Sequence, residues 1–154
     1  MLFLLVSLLG CPIRVEGSFS CNGNKLLNLE GCPIKVGGDF ACQNNCLITL
    51  LGCPVSVGGD FYCYRNELTN LEGCISEVRG SFLCNDNKLS NLFGCAVSAG
   101  NSFYCHNNKL TSLVGCPVKV VGFHCYNNNL ISLEGCSVSS VNKTLKSSLR
   151  VLFL

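Results

Sequence analysis

The chain has 154 residues, of which 48% are hydrophobic and 13% are charged, and its formal net charge is +2. This length fits one domain, and the high apolar content argues against intrinsic disorder. The near-neutral charge gives no signal for nucleic-acid binding, and no apolar run reaches the roughly 20 residues that a membrane-spanning helix needs.

A repeat of 21 residues runs through the chain. Five consecutive copies cover residues 10–30, 31–51, 52–72, 73–93 and 94–114. A sixth copy, 115–134, is one residue shorter, and the deletion falls beside Gly122 in a predicted turn that can absorb it. Self-similarity at this period predicts a solenoid. We therefore expect a single domain, a repeat solenoid over residues 1–141, followed by a tail or cap over residues 142–154.

The first residues of the chain are interpreted as half of a repeat. Leu5, Leu8 and Cys11 stand one period before the corresponding residues of the next copy. The run from Leu8 to Cys11 also resembles a bacterial lipoprotein processing site, but the basic region of a secretory signal is missing. We favour the half-repeat and a cytoplasmic location, with an extracellular or lipoprotein-like location as the alternative.

Six positions of the repeat recur as columns of like residues. The columns begin at Cys11, Phe19, Cys21, Asn24, Leu26 and Leu29. Phe-x-Cys alternates in the manner of a half-buried strand, Gly-Gly-Asp before it is turn chemistry, and the leucine segment is too short for a stable helix. Each unit is therefore predicted to hold one short strand and three tight corners. The stacked units form a mainly β, leucine-rich-repeat-like solenoid of about six units, with short parallel strands and little helix, in which the asparagine column satisfies turn backbone groups of its own unit and the next.

The motif Phe-x-Cys-x-x-Asn-x-Leu-x-x-Leu resembles the leucine-rich repeat, whose strand motif is Leu-x-Leu-x-x-Asn-x-Leu. The repeat length lies within the range of 20–29 residues that is typical of that family. The repeat is also similar to short Cys/Phe variants in uncharacterised bacterial and phage-type repeat proteins. Two departures stand out: Phe and Cys replace the strand leucines, and Val15 and Val36 stand four residues before Phe instead of three. The resemblance implies that the variable strand face is a concave recognition surface.

The 14 cysteines allow three interpretations. We favour small buried side chains, because the cysteines recur with the core period and free Cys packs as a small hydrophobe. Disulfides between the two columns, such as Cys32 with Cys42, are the second interpretation. Metal binding is the third, although the chain has no Cys-x-x-Cys. Cys46 is the one cysteine outside the columns, in a slot that is predicted to face solvent. We favour an incidental surface substitution there, with an exposed, oxidisable thiol as the alternative.

The variable slots that flank the second cysteine column carry the functional signal. All four tyrosines and both histidines of the chain lie there: Tyr62, Tyr64, Tyr104, His106, His124 and Tyr126. Strand alternation turns these slots outward, and Tyr is enriched at interfaces. Arg65, beside Tyr64, completes a candidate partner-binding cluster. The alternative is that the aromatic pairs only stabilise the sheet.

No catalytic constellation, phosphate loop or metal-binding motif accompanies the two histidines. The sequence therefore predicts a non-catalytic scaffold without a cofactor that binds a protein ligand through this face. One alternative is a structural array that self-associates end to end, or a fragment of a longer repeat protein. The other is a thiol-based redox or metal-binding protein.

Overall fold

The computed structural model describes residues 4–95, 98–117 and 119–136. In these ranges every regular element is a short parallel strand and equivalent residues of successive turns are stacked, so the predicted β-solenoid with a 21-residue repeat is confirmed. The described part contains no helix that could span a membrane. The predicted tail or cap, 142–154, lies outside the described residues.

The larger sheet carries the Phe-x-Cys motif, as predicted. Its six strands are β2 (Phe19–Ser20), β4 (Phe40–Ala41), β6 (Phe61–Tyr62), β8 (Phe82–Leu83), β10 (Ser102–Tyr104) and β11 (Gly122–His124). Phenylalanine pairs with phenylalanine in each neighbouring pair of strands, so the turns are in register.

A second sheet corrects the prediction of one strand per unit. Its strands are β1 (Arg14–Val15), β3 (Lys35–Val36), β5 (Ser56–Val57), β7 (Glu77–Val78) and β9 (Ser98–Ala99). In β3, β5 and β7 the first residue is exposed and the valine is buried. Two residues are too few for alternation to be recognised as a strand. The valines that departed from the family spacing therefore belong to a strand of their own.

The one-residue deletion in the sixth copy is absorbed in a corner, as predicted. Ser98 pairs with Lys119, which lies 21 positions later. Ser102 pairs with Gly122, which lies 20 positions later, and Phe103 with Phe123. The chain is thus shortened between Lys119 and Gly122, and the strand register is restored before the core phenylalanine.

The phenylalanine column forms the centre of the core. Phe40, Phe61, Phe82 and Phe103 are fully buried. Neighbouring rings along the column have centroids 5.1 to 5.9 Å apart. Such contacts contribute about 0.5–1.5 kcal/mol per pair beyond the burial of area.

The asparagine column ties each turn to the turn before it. The side-chain nitrogen Nδ2 of Asn66 donates to the carbonyls of Cys63 in its own turn and Cys42 in the preceding turn, each at 3.1 Å. Its Oδ1 accepts a hydrogen bond from the backbone N–H of Leu47 at 3.1 Å. The predicted role is confirmed, but the neighbour that Asn66 satisfies is the preceding unit rather than the next.

The half-repeat at the start of the described chain makes the same bonds. Asn24 Oδ1 accepts from the backbone N–H of Leu5 at 2.9 Å, and the N–H of Cys11 donates to the Leu8 carbonyl at 3.1 Å. Leu8 is buried and belongs to the core cluster. The half-repeat interpretation of these residues therefore holds for the backbone as well as for the sequence.

The second cysteine column is buried beside the phenylalanines. Cys42, Cys63, Cys84 and Cys105 have no exposed surface, and no disulfide joins any of the 14 cysteines, all of which lie in the described ranges. The Cys63 Sγ donates to the Leu83 carbonyl of the following turn at 3.4 Å. Burial raises the pKa of these four thiols well above its usual range. They pack as small apolar side chains, and Cys42, Cys63 and Cys84 each donate one weak hydrogen bond to a carbonyl of the following turn.

Cys46, predicted to be exposed, is half-buried. Its backbone N–H donates to the Leu26 carbonyl of the preceding turn at 3.0 Å. In the other five copies the same slot is exposed, so it faces solvent as predicted: Lys25, Glu67, Lys88, Lys109 and Asn129. The Cys46 side chain is therefore only partly accessible to solvent.

Candidate functional site

The predicted partner-binding residues lie on the outer side of the larger sheet. Phe and Cys point into the core there, so the residues on either side of each cysteine point outward. We call Tyr62, Tyr64, Arg65, Tyr104, His106, His124 and Tyr126 the tyrosine–histidine face. Tyr126 and Arg65 are exposed, and the others are half-buried. The structure therefore turns all seven residues to one face, but it divides them into two clusters.

The first cluster is a quartet of stacked rings on β10 and β11. The rings of Tyr104 and His124 have centroids 4.4 Å apart and planes 4° apart. His106 stacks on Tyr126 with a centroid distance of 4.4 Å and an angle of 12°. Tyr104 meets His106 edge to face at 6.3 Å. Because the ring faces cover each other, the quartet presents ring edges, hydroxyls and ring nitrogens to a partner.

The second cluster lies on the turn of β6. The rings of Tyr62 and Tyr64 form a T-shaped pair with centroids 6.5 Å apart. The guanidinium carbon of Arg65 lies 5.9 Å from the centroid of Tyr64, within cation–π range. The two aromatic rings and one cation thus form a compact patch of the composition that interface hot spots favour.

A hydrogen bond fixes the orientation of Tyr62. Its hydroxyl donates to Asp60 Oδ2 at 2.8 Å, while Asp60 Oδ1 accepts from the backbone N–H of Ser81 in the next turn at 2.6 Å. The bond to the Asp60 carboxylate, followed by burial, raises the pKa of Tyr62 to about 12. Tyr62 is therefore protonated at neutral pH, and its hydroxyl proton is held by the carboxylate.

The two clusters are separated by the turn of β8, which presents Leu83 and Asn85 in the same slots. Strands lie about 4.7–4.9 Å apart, so equivalent positions of the two clusters are separated by about 10 Å across that turn. A partner that contacts both clusters must therefore cross Leu83. This leucine is half-buried and continues the apolar surface between Tyr62 and Tyr104.

Two buried polar atoms on this face have no hydrogen-bond partner. They are His106 Nδ1 and Gln43 Oε1, and both residues occupy the slot after the second cysteine column. Burial lowers the pKa of His106, although the negative charge of Asp86 opposes the change. His106 is therefore neutral at neutral pH. Unpaired buried polar groups are rare in native proteins, and they mark this slot as incompletely satisfied.

Both histidines are arranged for ring stacking. Each stacks on a tyrosine of the neighbouring turn. Among the residues in the described ranges, no group of three or more His, Cys, Asp and Glu is placed to hold a metal ion.

Sequence reasoning missed a column of left-handed residues at the rim of this face. It lies directly before the asparagine column, and φ is positive in all six copies: Gly23 (67°), Asn44 (55°), Arg65 (53°), Asp86 (54°), Asn107 (54°) and Asn127 (51°). Gly, Asn and Asp are the residues that tolerate this conformation. Their recurrence in five of the six copies was the signal that could have found the corner. Arg65 is the exception.

The outer side of the second sheet has two shallow depressions. One, of ≈ 210 Å³, is lined by Lys35, Ser56, Gly58 and Arg79 among others. The other, of ≈ 370 Å³, lies on the other side of Arg79 and is lined also by Lys119. They arise where glycine and serine replace larger outward residues. Neither contains an aromatic ring, so the tyrosine–histidine face remains the stronger candidate for protein recognition.

Comparisons of the chain with models of known protein families, with curated proteins and with solved structures gave no match in any of the three cases. The resemblance to leucine-rich repeats therefore stays a prediction. Function is inferred from the residues of the face alone.

Proposed function

We propose that the chain is a non-catalytic scaffold of the leucine-rich-repeat type that binds a protein through its tyrosine–histidine face. The observation that carries the proposal is the placement of every tyrosine and histidine of the sequence on one side of one sheet. Strand preference alone does not require this concentration, because the same slots in the first two turns hold Ser20, Asn22, Ala41 and Gln43. Tyr combines a large contact area with a polar tip, which suits protein interfaces.

The geometry of the rings favours a polypeptide partner over a sugar or a nucleobase. Flat ligands of those classes stack on free aromatic faces. In the quartet, the faces of Tyr104 and His124 cover each other, as do those of His106 and Tyr126. Hydroxyls and ring nitrogens at the ring edges are suited to the backbone and side-chain groups of a protein.

The face is also ordered before any partner arrives. Stacking holds the quartet, and the bond to Asp60 holds Tyr62. Side chains that are already fixed lose less conformational entropy on binding, which costs about 0.5–1.5 kcal/mol for each rotamer-rich side chain that must be immobilised. This preorganisation supports a binding role rather than a general solvent-exposed surface.

The test is capture of partners by immobilised protein. The variant in which Tyr62, Tyr64, Tyr104 and Tyr126 are all replaced by Ala is expected to lose a captured protein that the wild-type chain retains. A second variant with Phe at the same four positions keeps the stacked rings and tests the hydroxyls alone. The matched control, Ser20→Ala with Asn22→Ala, changes the same slots in the first turn and should capture normally. Unchanged capture by a folded four-alanine variant would contradict the proposal.

A second candidate function is a structural array that self-associates through its ends, or a piece of a longer array. The observation that favours it is the apolar surface near the first turn, where Val6 and Leu9 are 75% and 81% exposed. Phe19 is half-buried, whereas the next four phenylalanines of its column are fully buried. Sedimentation velocity over a wide concentration range separates the candidates. A protein that stays monomeric at all concentrations would contradict the array. A dimer that dissociates when Val6→Lys and Leu9→Lys are introduced together would support it.

A thiol-based redox or metal-binding role is the third candidate. The thiolate is the reactive and ligating form of cysteine. Burial of the second cysteine column raises the pKa of its thiols and so disfavours that form. The burial of these cysteines therefore favours the binding scaffold over a thiol-based function. The cytoplasmic location stays a prediction.

A further inference from the structure

Arg65 occupies a backbone position that suits other residues better. Its φ is 53°, whereas the equivalent positions of the other copies hold Gly, Asn or Asp. The left-handed region is unfavourable for a residue with a long side chain, and Asn or Gly adopts it at lower cost. Strained residues persist where the surrounding structure holds them and cluster at sites of function. Arg65 therefore requires an explanation that the corner itself does not provide.

The guanidinium of Arg65 is held in place but has donors to spare. It lies over the ring of Tyr64, with 5.9 Å between Cζ and the ring centroid, and Arg65 is exposed. Within the part of the chain that the structure describes, it forms no ion pair. The nearest carboxylate in the same column, Asp86, is already engaged by the side-chain nitrogens of Asn85 at 2.6 Å and Asn107 at 2.7 Å. The Asp86 carboxylate is therefore bound by two asparagines and not by Arg65.

We propose that Arg65, positioned by Tyr64, binds a single carboxylate of the partner: one Asp or Glu side chain in a linear segment. The inference rests on the proposed function and identifies the chemistry of the partner at one point of the face. A guanidinium presents N–H donors in a fork that matches the two oxygens of a carboxylate, and stacking on an aromatic ring preorganises that fork.

A carboxylate fits this place better than a phosphate does. Proteins recognise phosphorylated segments with clusters of arginines, and Arg65 is the one cation of the tyrosine–histidine face. Asp86 lies one turn away in the same column, and Asp60 belongs to the same turn as Arg65. Two negative charges nearby penalise a doubly charged ligand more than a singly charged one.

The test uses an array of short synthetic linear peptides of varied sequence, each made in matched forms with Glu, Gln or phosphoserine at one position. The full chain is applied to the array. We expect wild-type protein to bind a subset of peptides in the Glu form about tenfold more tightly than in the Gln form, which is the size of effect of one charge-assisted contact. Preference for the phosphoserine form over the Glu form would overturn the proposal.

Three single variants assign the preference to Arg65. Arg65→Asn supplies a residue that favours the left-handed corner, so its unfolding midpoint should rise or stay unchanged while its Glu preference disappears. Arg65→Lys keeps the charge and the unfavourable backbone but lacks the fork, so its preference should be intermediate. Lys109→Asn removes an exposed positive charge that is not part of the tyrosine–histidine face and should keep the full preference. Equal binding of the Glu and Gln forms by wild-type protein, or a full preference in Arg65→Asn, would overturn the proposal.

The same array separates this inference from the proposed function. Some peptides could bind equally in the Glu and Gln forms and fail to bind the four-alanine tyrosine variant. That result would support binding through the tyrosine–histidine face and contradict the carboxylate contact with Arg65. Binding that survives in the four-alanine variant, or no binding at all, would contradict both.

Discussion

The ring of Tyr104 lies flat on the ring of His124, with 4.4 Å between their centroids. One slot further along the same two turns the order is reversed, and His106 lies on Tyr126. Each tyrosine of the quartet therefore meets a histidine, and no tyrosine stacks on a tyrosine. His106 is half-buried in this stack and its burial lowers its pKa, so the quartet should respond to pH through His106.

Stability is expected to fall as the pH is lowered through the usual range of histidine. Burial lowers the pKa of His106 from its ordinary value of 6.5. The unfolded chain then binds more protons than the folded chain below pH 6.5, so the free energy of unfolding decreases as the pH falls through that value and levels off below the folded pKa. Urea unfolding of wild-type protein between pH 5 and pH 8 should show this slope, and His106→Phe, which preserves a ring for Tyr126, should reduce it. An unchanged slope in the variant would show that a group other than His106 causes the pH dependence of stability.

Removal of one core asparagine should destabilise two turns at once. Asn87 Nδ2 donates to the carbonyls of Cys63 at 3.0 Å and Cys84 at 3.1 Å, and its Oδ1 accepts from the N–H of Leu68 at 3.1 Å. Asn87→Ala leaves the buried Leu68 N–H without this acceptor, at about 1–3 kcal/mol, and removes one of the two asparagine donors of each carbonyl, at about 0.5–1.5 kcal/mol each. Asn66 still donates to the Cys63 carbonyl and Asn108 to the Cys84 carbonyl, so we expect a loss of at least about 2 kcal/mol. Denaturant unfolding measures the change. The control is Asn28→Ala, an exposed residue that accepts one backbone N–H and should cost less than about 1 kcal/mol.

The glycine that begins each repeat after the first is required by the close approach of the preceding turn. Gly73 has a φ of 82°, and an added Cβ would lie 2.8 Å from the backbone nitrogen of Leu51. We expect Gly73→Ala to cost at least about 2 kcal/mol, because both the backbone conformation and the contact are unfavourable. Gly17→Ala is the matched control: no atom lies within 4 Å of its added Cβ. Its unfolding midpoint should not fall, and a comparable loss in both variants would show that the stacking contact is not the cause.

The cysteines are expected to be present as thiols and to react slowly in the folded protein. Burial raises the pKa of Cys125 to about 11 and that of Cys21 to about 12. At pH 8 a thiol with a pKa near 11 is ionised in roughly one molecule per thousand, and the thiolate is the nucleophile. A colorimetric thiol reagent should therefore label the native protein slowly and should detect 14 thiols after denaturation. Of the six half-buried cysteines, Cys46 is the fastest candidate, because its slot faces solvent in the other copies.

Replacement of Cys46 by Ser provides the control for this experiment. The fastest phase of native labelling should disappear, while the slow phases remain. Fewer than 14 thiols in denaturant would indicate disulfides and would revive the second interpretation of the cysteine columns. Rapid labelling of several cysteines in the native protein would instead favour a thiol-based function.

The sequence by itself determined the solenoid, its period and its core. Identical residues at a spacing of 21 can be buried together only if successive turns are stacked in register. The sequence therefore predicts that Phe61 and Asn66 each lie beside their equivalents in the neighbouring turns. The outward direction of Tyr62 and Tyr104 follows from the same alternation. These features depend only on the repeat, which can be recognised from the amino-acid sequence.

The tertiary structure decided what depends on contact between unlike residues of different turns. β3 and β5 have only two residues each, and their pairing appears only when the turns are stacked. The stacking of Tyr104 on His124 requires the register that the shortened corner before Gly122 restores, and this register is not visible in either residue. The strained backbone of Arg65 follows from a corner that all copies must share, whatever residue a copy places there. A local pattern shows which residues repeat. The energy of each contact depends on which residue of the next turn lies opposite, and only the packing of the turns determines that residue.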